Sequence, residues 1–163
     1  MPNDCYNTLS IDANDALIEN CTFEWVFRCA ILIEPELDWG ESGYVKNATI
    51  KNCTFDNCGF STTNGAAIDI SGYAGRDHEN ITVEGCTFND QFRHDIIAHC
   101  INDGLIQNNA FGKQNAQAEA AGIGFYPAVS VDNTQDLTFK NNTFADEGRK
   151  VKVTANTQNI QGL

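Results

Sequence analysis

The chain has 163 residues, 42% of them hydrophobic, with 13 glycines but only 3 prolines, and it carries a net charge of −12 with a pI near 4.4. That length predicts one domain, and the negative field repels a phosphate backbone, which argues against nucleic acid as a partner and leaves neutral sugars unaffected. No apolar run approaches membrane-spanning length, so no membrane partner is expected, and Met1-Pro-Asn-Asp4 lacks the charged and apolar regions of a secretory signal.

In chain order, Ala16-Leu-Ile-Glu-Asn-Cys-Thr-Phe23 joins an alternating apolar stretch to a polar turn and ends on phenylalanine. Ala30-Ile-Leu-Ile33 follows as a second β-rich run, then the loop Pro35 to Tyr44. The first pattern returns as Ala48-Thr-Ile-Lys-Asn-Cys-Thr-Phe55, followed by Ala67-Ile-Asp-Ile70 and the loop Gly72 to His78. It returns again as Ile81 to Phe88 before Asp95-Ile-Ile-Ala98, as Gly104 to Phe111 before Ala128-Val-Ser-Val131, and as Asp136 to Phe144 before Val151-Lys-Val153. These are strand and turn signals.

The terminal phenylalanines recur at steps of 32, 33, 23 and 33 residues, the period of stacked supersecondary units. Asn20, Asn52, Gly85, Asn108 and Asn141 share one turn position. Asn and Gly tolerate left-handed backbone angles, so a sharp corner can recur in every coil and stacked Asn side chains can hydrogen-bond along it. No helical stretch separates the strands, which disfavours a βαβ arrangement. The fold class predicted is all-β: a right-handed parallel β-helix, a β-solenoid of about five coils forming a single domain over residues 1–163. Cys5 to Ile11 supplies at most one incomplete coil and no amphipathic cap, so the solenoid is expected to be truncated at its N-terminus, with further coils or another domain as its partner. The sequence as it stands predicts a cytoplasmic location, and export of a longer parent would place it outside the cell.

Seven cysteines raise the question of disulfides or metal, yet Cys21, Cys53 and Cys86 occupy one repeat position directly after the turn, which predicts a buried ladder of reduced thiols. Cys53 and Cys58 lack zinc-ligand spacing and no His follows suitably, so no metal and no cofactor is expected. The Asn-x-Thr sequences at Asn20, Asn47, Asn52, Asn80 and Asn141 are products of the repeat corner before they are glycosylation signals.

Aligning the second runs stacks Ile31, Ile68, Ile96 and Val129 inward, with Ile33, Ile70, Ala98 and Val131 in the next row. Alternation then points Leu32, Asp69, Ile97 and Ser130 outward, together with Glu34, Ser71, His99 and Asp132 two residues later. Beyond that edge the two loops mix aromatic rings with charge. Trp39, Tyr44, Tyr73, Glu36, Asp38, Glu41, Arg76 and His78 form a candidate sugar-binding group, since rings stack on the C–H face of a pyranose while charged groups grip its hydroxyls. His99 extends the outward row, whereas His94 is assigned to the corner with Arg93. Adjacent coils about 4.8 Å apart and an offset of two residues put Glu34 and Asp69 roughly 8 Å apart. That falls within the window of about 6.5–9.5 Å for the two carboxyls of an inverting glycosidase, and makes the pair candidate catalytic residues, set against ordinary solvated carboxylates.

Asn20-Cys-Thr-Phe23, Phe27-Arg28, Ile31-Leu-Ile33, Trp39-Gly-Glu-Ser-Gly43, Val45-Lys-Asn47, Thr49 to Phe55, Asn57-Cys-Gly59 and Ala66 to Ile70 carry a resemblance. Over about residues 14 to 112 the chain resembles the later coils of the parallel β-helix α-1,3-galactosidases of glycoside hydrolase family 110, with Trp-x-Glu-Ser-Gly as the most specific part. The resemblance implies inverting removal of terminal α-linked galactose from an oligosaccharide or glycan, using Asp residues and no metal, with Trp39 and Glu41 in the active-site loop. The family's adjacent Asp-Asp pair has no counterpart between Met1 and Leu163, so this chain alone is expected to bind galactosides and turn over little. Two other classes compete. A polysaccharide lyase needs a basic residue beside a uronate, usually with calcium, against which stand only 10 Lys and Arg and an acidic outward row. A non-catalytic carbohydrate-binding or adhesion solenoid would use the loops as surface only.

Overall fold

The computed structural model describes residues 7–35, 43–61, 65–73 and 75–163. Sixteen strands among them form three parallel sheets. The first sheet orders β1 (Asn7–Ser10), β4 (Cys29–Ile33), β7 (Ala66–Ile70), β10 (His94–His99), β13 (Val129–Asp132) and β16 (Val151–Val153). The second contains β2 (Leu17–Glu19), β5 (Thr49–Lys51), β8 (His78–Glu84), β11 (Ile101–Gln107) and β14 (Gln135–Lys140). The third contains β3 (Thr22–Glu24), β6 (Thr54–Asp56), β9 (Thr87–Asn89), β12 (Ala110–Phe111) and β15 (Thr143–Phe144). Each coil visits the sheets in that order, so residues one repeat apart become cross-strand neighbours.

The corners follow from the sequence. Asn20, Asn52, Gly85, Asn108 and Asn141 all take positive φ, between 52° and 62°, at the bend between the second and third sheets. Gly85 is needed there for a second reason: a Cβ would lie 2.6 Å from Asn52 Oδ1. A second left-handed row comprises Asp15 and Asn47 ahead of β2 and β5, Asn80, Asp103 and Asp136 within the first three residues of β8, β11 and β14, and Asn159. Its side chains bond from coil to coil, with Asn47 Nδ2 donating to Asp15 Oδ1 at 2.8 Å and Asn80 Nδ2 to Asn47 Oδ1 at 2.9 Å.

Inside, alternation fills the solenoid as expected. Ile31, Ile68, Ile96 and Val129 pair in register, as do Ile33, Ile70, Ala98 and Val131. Phe23, Phe55, Phe88, Phe111 and Phe144 form a continuous ring stack, with centroids 4.8–5.1 Å apart and planes within 13° of parallel. Spacing by one strand separation holds rings face to face where an isolated pair would prefer an offset or edge contact.

Three expectations need correction. Cys53 and Cys86 are buried but Cys21 is exposed, because the ladder ends there among the described residues. Asp69 and Leu32 point outward yet are 4% and 1% exposed, so Asp69 is not an ordinary solvated carboxylate. His94 opens β10 rather than lying in the corner, and its ring packs edge-on against Tyr126 with centroids 4.9 Å apart.

Candidate functional site on the outer face of the first sheet

The polar chemistry gathers where β4, β7, β10 and β13 turn their outward residues to one side. Asp69 is the cross-strand partner of Leu32, which sets it one coil from Glu34 and two residues back along the strand, as the sequence register requires. Ser71 Oγ donates to Asp69 Oδ1 at 2.5 Å, and the Cys29 thiol lies 3.7 Å from Oδ2. Burial raises the Asp69 carboxyl above its ordinary range, while the Ser71 hydrogen bond, Arg28 and His99 pull it back. The same burial, reinforced by Asp69, pushes the Cys29 thiol up to about 12, so it faces the carboxyl as a neutral donor. Glu34 is a partly exposed neighbour of a cation: its Oε2 lies 4.0 Å from Arg28 Nη2.

One coil further, His99 pairs in register with Asp132, and His99 Nε2 lies 3.2 Å from Ser130 Oγ. Asp132 accepts from Asn133 N at 3.0 Å, from Asn133 Nδ2 at 3.1 Å and from the Thr154 hydroxyl. Burial lowers the His99 imidazole, although Asp132 and Asp69 favour its cation, so the ring stays neutral at neutral pH.

The flanking loops divide. Tyr44 is half-buried against His78, ring centroids 5.6 Å apart, and its hydroxyl is buried without a hydrogen-bond partner among the described residues. His78 itself is fully buried: it accepts from Val45 N at Nδ1 (3.0 Å) and donates from Nε2 to Ser71 O (2.8 Å). That tautomer ties Val45 to Ser71, just past the end of β7, and engages both ring nitrogens of His78 within the fold. Arg76 and Tyr73 are exposed in a tight turn closed by Arg76 N donating to Tyr73 O at 2.9 Å. Asp38, Trp39 and Glu41, with Glu36, lie outside the described residues. Glu34, Asp69 and His99 are thus brought to one face, with Arg76 and Tyr44 on loops beyond its edge.

Sequence reasoning missed the buried pair at the other end of β10. Asp95 and Arg149 are 0% and 1% exposed and meet through Nη1 to Oδ2 at 3.0 Å and Nη2 to Oδ1 at 3.3 Å. Arg149 also donates to the carbonyls of Tyr126, Gly112 and Arg93, which leaves little of its donor capacity for a ligand. A hollow of about 510 Å³ beside exposed Phe125 holds Lys113, Glu119 and Asp146 but none of the predicted site residues. Among the described residues no group of three His, Cys, Asp or Glu is placed to hold a metal ion, and no helix is long and apolar enough to cross a membrane.

A family model for the right-handed beta helix region matches residues 3–161. No curated protein and no solved structure matches the chain. Three parallel sheets wound around one stack of phenylalanines, together with a match over nearly the whole length, establish that the chain belongs to the right-handed β-helix family.

Proposed function

We propose that the outer face of the first sheet binds a glycan and hydrolyses a glycosidic bond, with Asp69 as the general acid and Glu34 as the base that activates water. The supporting observation is the contrast between two carboxyls on neighbouring coils, Asp69 within β7 and Glu34 just past the end of β4. Asp69 is almost fully buried, with a raised pKa and its own hydrogen-bond donors, whereas Glu34 is partly exposed beside Arg28. Environments that separate two carboxyls in this way suit one to give a proton and the other to take one. Their offset of one strand and two residues corresponds to roughly 8 Å between Cα atoms, which leaves room for the water of an inverting displacement.

His99, Tyr44, Arg76, Trp39, Asp38 and Glu41 are the residues assigned to hold the sugar. The resemblance at Trp39-Gly-Glu-Ser-Gly43 makes terminal α-linked galactose the first substrate class to test. Addition of galactose is expected to shift backbone resonances along β7 and β10, including His99, and Trp39→Ala to abolish those shifts. Release of galactose from a terminal α-galactoside is expected to be slow and to fall at least about 100-fold in Asp69→Asn, the usual scale for loss of a general acid. Absence of any shift at high sugar concentration would overturn the proposal. Binding without turnover would leave a carbohydrate-binding solenoid, and unsaturated product from a uronate polymer would move the chain to the lyases.

A further inference from the structure

We propose that Ser130 and His99 are the nucleophile and general base of a second, ester-cleaving centre on the same face, which shares His99 with the proposed sugar site and acts on small acyl groups carried by sugar hydroxyls. Only the sugar part of that substrate class rests on the glycosidase proposal; the acyl-transfer chemistry stands without it. Neither serine nor histidine is required by the solenoid, since both point away from the core rows occupied by Val129, Val131, Ile96 and Ala98. Ser130 Oγ lies 3.2 Å from His99 Nε2, the reach needed for proton transfer from a nucleophile to its base. When Nε2 accepts from Ser130 the ring proton resides on Nδ1. Asp132, the in-register partner of His99, supplies the neighbouring carboxylate that stabilises the imidazolium, and it is held by Asn133 and Thr154. Lys152, exposed and the cross-strand partner of Ser130, puts a cation on the same face to oppose charge developing on the acyl oxygen. The neutral state that burial imposes on His99 is the state a base must occupy.

The chemistry balances without a cofactor. Ser130 Oγ bonds to the acyl carbon as its proton passes to His99 Nε2, and the carbon–oxygen bond to the sugar breaks as His99 returns that proton to the leaving hydroxyl. Water, deprotonated by His99, then cleaves the acyl-serine, releasing the carboxylic acid and restoring the hydroxyl. The test is a fluorophosphonate probe on the whole chain, with peptide mass spectrometry to locate the adduct and p-nitrophenyl acetate as a turnover substrate. A single adduct on Ser130 is expected, absent in Ser130→Ala and formed at least about tenfold more slowly in His99→Gln, with p-nitrophenyl acetate hydrolysis following the same order. Labelling and p-nitrophenyl acetate turnover are both read with no sugar present, so failure of the glycosidase proposal leaves this result intact. No labelling of protein with a β-rich dichroism spectrum, an adduct on another residue, or an unchanged labelling rate in His99→Gln would each overturn the assignment.

Discussion

Asp95 occupies a register position that the two preceding coils and the following one fill with Ala30, Ala67 and Ala128, so a carboxyl enters the solenoid where a methyl group suffices. Its partner Arg149 comes from the end of a short 3-10 turn, Glu147–Arg149, that Asp146 caps by accepting from Gly148 N at 2.9 Å. Removing one member of such a pair leaves an uncompensated group in the core and costs about 3–5 kcal/mol, whereas replacing both by apolar residues is often close to neutral. Asp95→Ala and Arg149→Met are therefore each expected to lower stability by about 3–5 kcal/mol in urea unfolding, and the double variant to recover most of the loss. The carboxyl also sets a pH dependence. Burial pushes Asp95 up to about 7 against the pull of Arg149, while the unfolded group titrates near 4. Below about 4 both states are protonated; between there and 7 the folded state holds a proton the unfolded state has released, so stability falls as pH rises. Measured relative to the double variant, wild type is expected to lose stability from about pH 4 to 7, and a difference that grows with pH would contradict the assignment. The row of alanines is the sequence signal that could have singled out Asp95, which strand signals alone mark only as the start of a β-rich run. Arg149, separated from it by 54 residues and belonging to no repeat, offers no such signal.

Corners transmit order between coils by side chains as well as by backbone. After the left-handed residue, the position held by Cys53 and Cys86 passes to Asn109 and Asn142, and the chemistry changes with it. Cys86 Sγ lies 3.4 Å from Glu84 O, whereas Asn109 accepts from Cys86 N at 2.8 Å and donates to Val83 O at 3.0 Å. Asn142 repeats the pattern one coil on, accepting from Asn109 N at 3.0 Å and donating to Ile106 O at 2.8 Å. Asn109→Ala would strand a buried amide and a buried carbonyl, so a cost of about 2–3 kcal/mol is expected, with faster amide exchange at Cys86 than in wild type. Exchange at Cys86 unchanged in that variant would show that the carboxamide carries no load. Turn positions and strand register were legible at this scale because a repeated Asn or Gly reports the backbone angle directly. The burial of Asp69 and the link from His78 to Val45 were not, because they depend on insertions that have no period and so no register to extrapolate.

At the scale of the molecule, each coil pairs its strands only with those of its neighbours, while Arg149 to Asp95 and Asn115 to Asn57 are side-chain contacts that skip a coil, and the aromatic stack measures how far the locality of strand pairing reaches. Phe88 is fully buried between Phe55 and Phe111, with centroids 5.0 Å away on either side, whereas Phe144 is partly buried and stacks on Phe111 from one side. Phe88→Ala removes two stacking contacts and opens a cavity in the middle of the core, which corresponds to a loss of about 3–5 kcal/mol. Phe144→Ala removes one contact at a site that can relax, and a loss of about 1–2 kcal/mol is expected. In a solenoid the two losses should also be distributed differently, because stability is a sum of coil terms and nearest-neighbour interfaces. Hydrogen exchange is therefore expected to accelerate mainly in β14, β15 and β16 when Phe144 is replaced, and in both directions from β9 when Phe88 is replaced. If Phe144→Ala instead accelerates exchange equally in β5, β8 and β14, the coils unfold as one unit, and the stack must be treated as a single cooperative core rather than a column of local contacts.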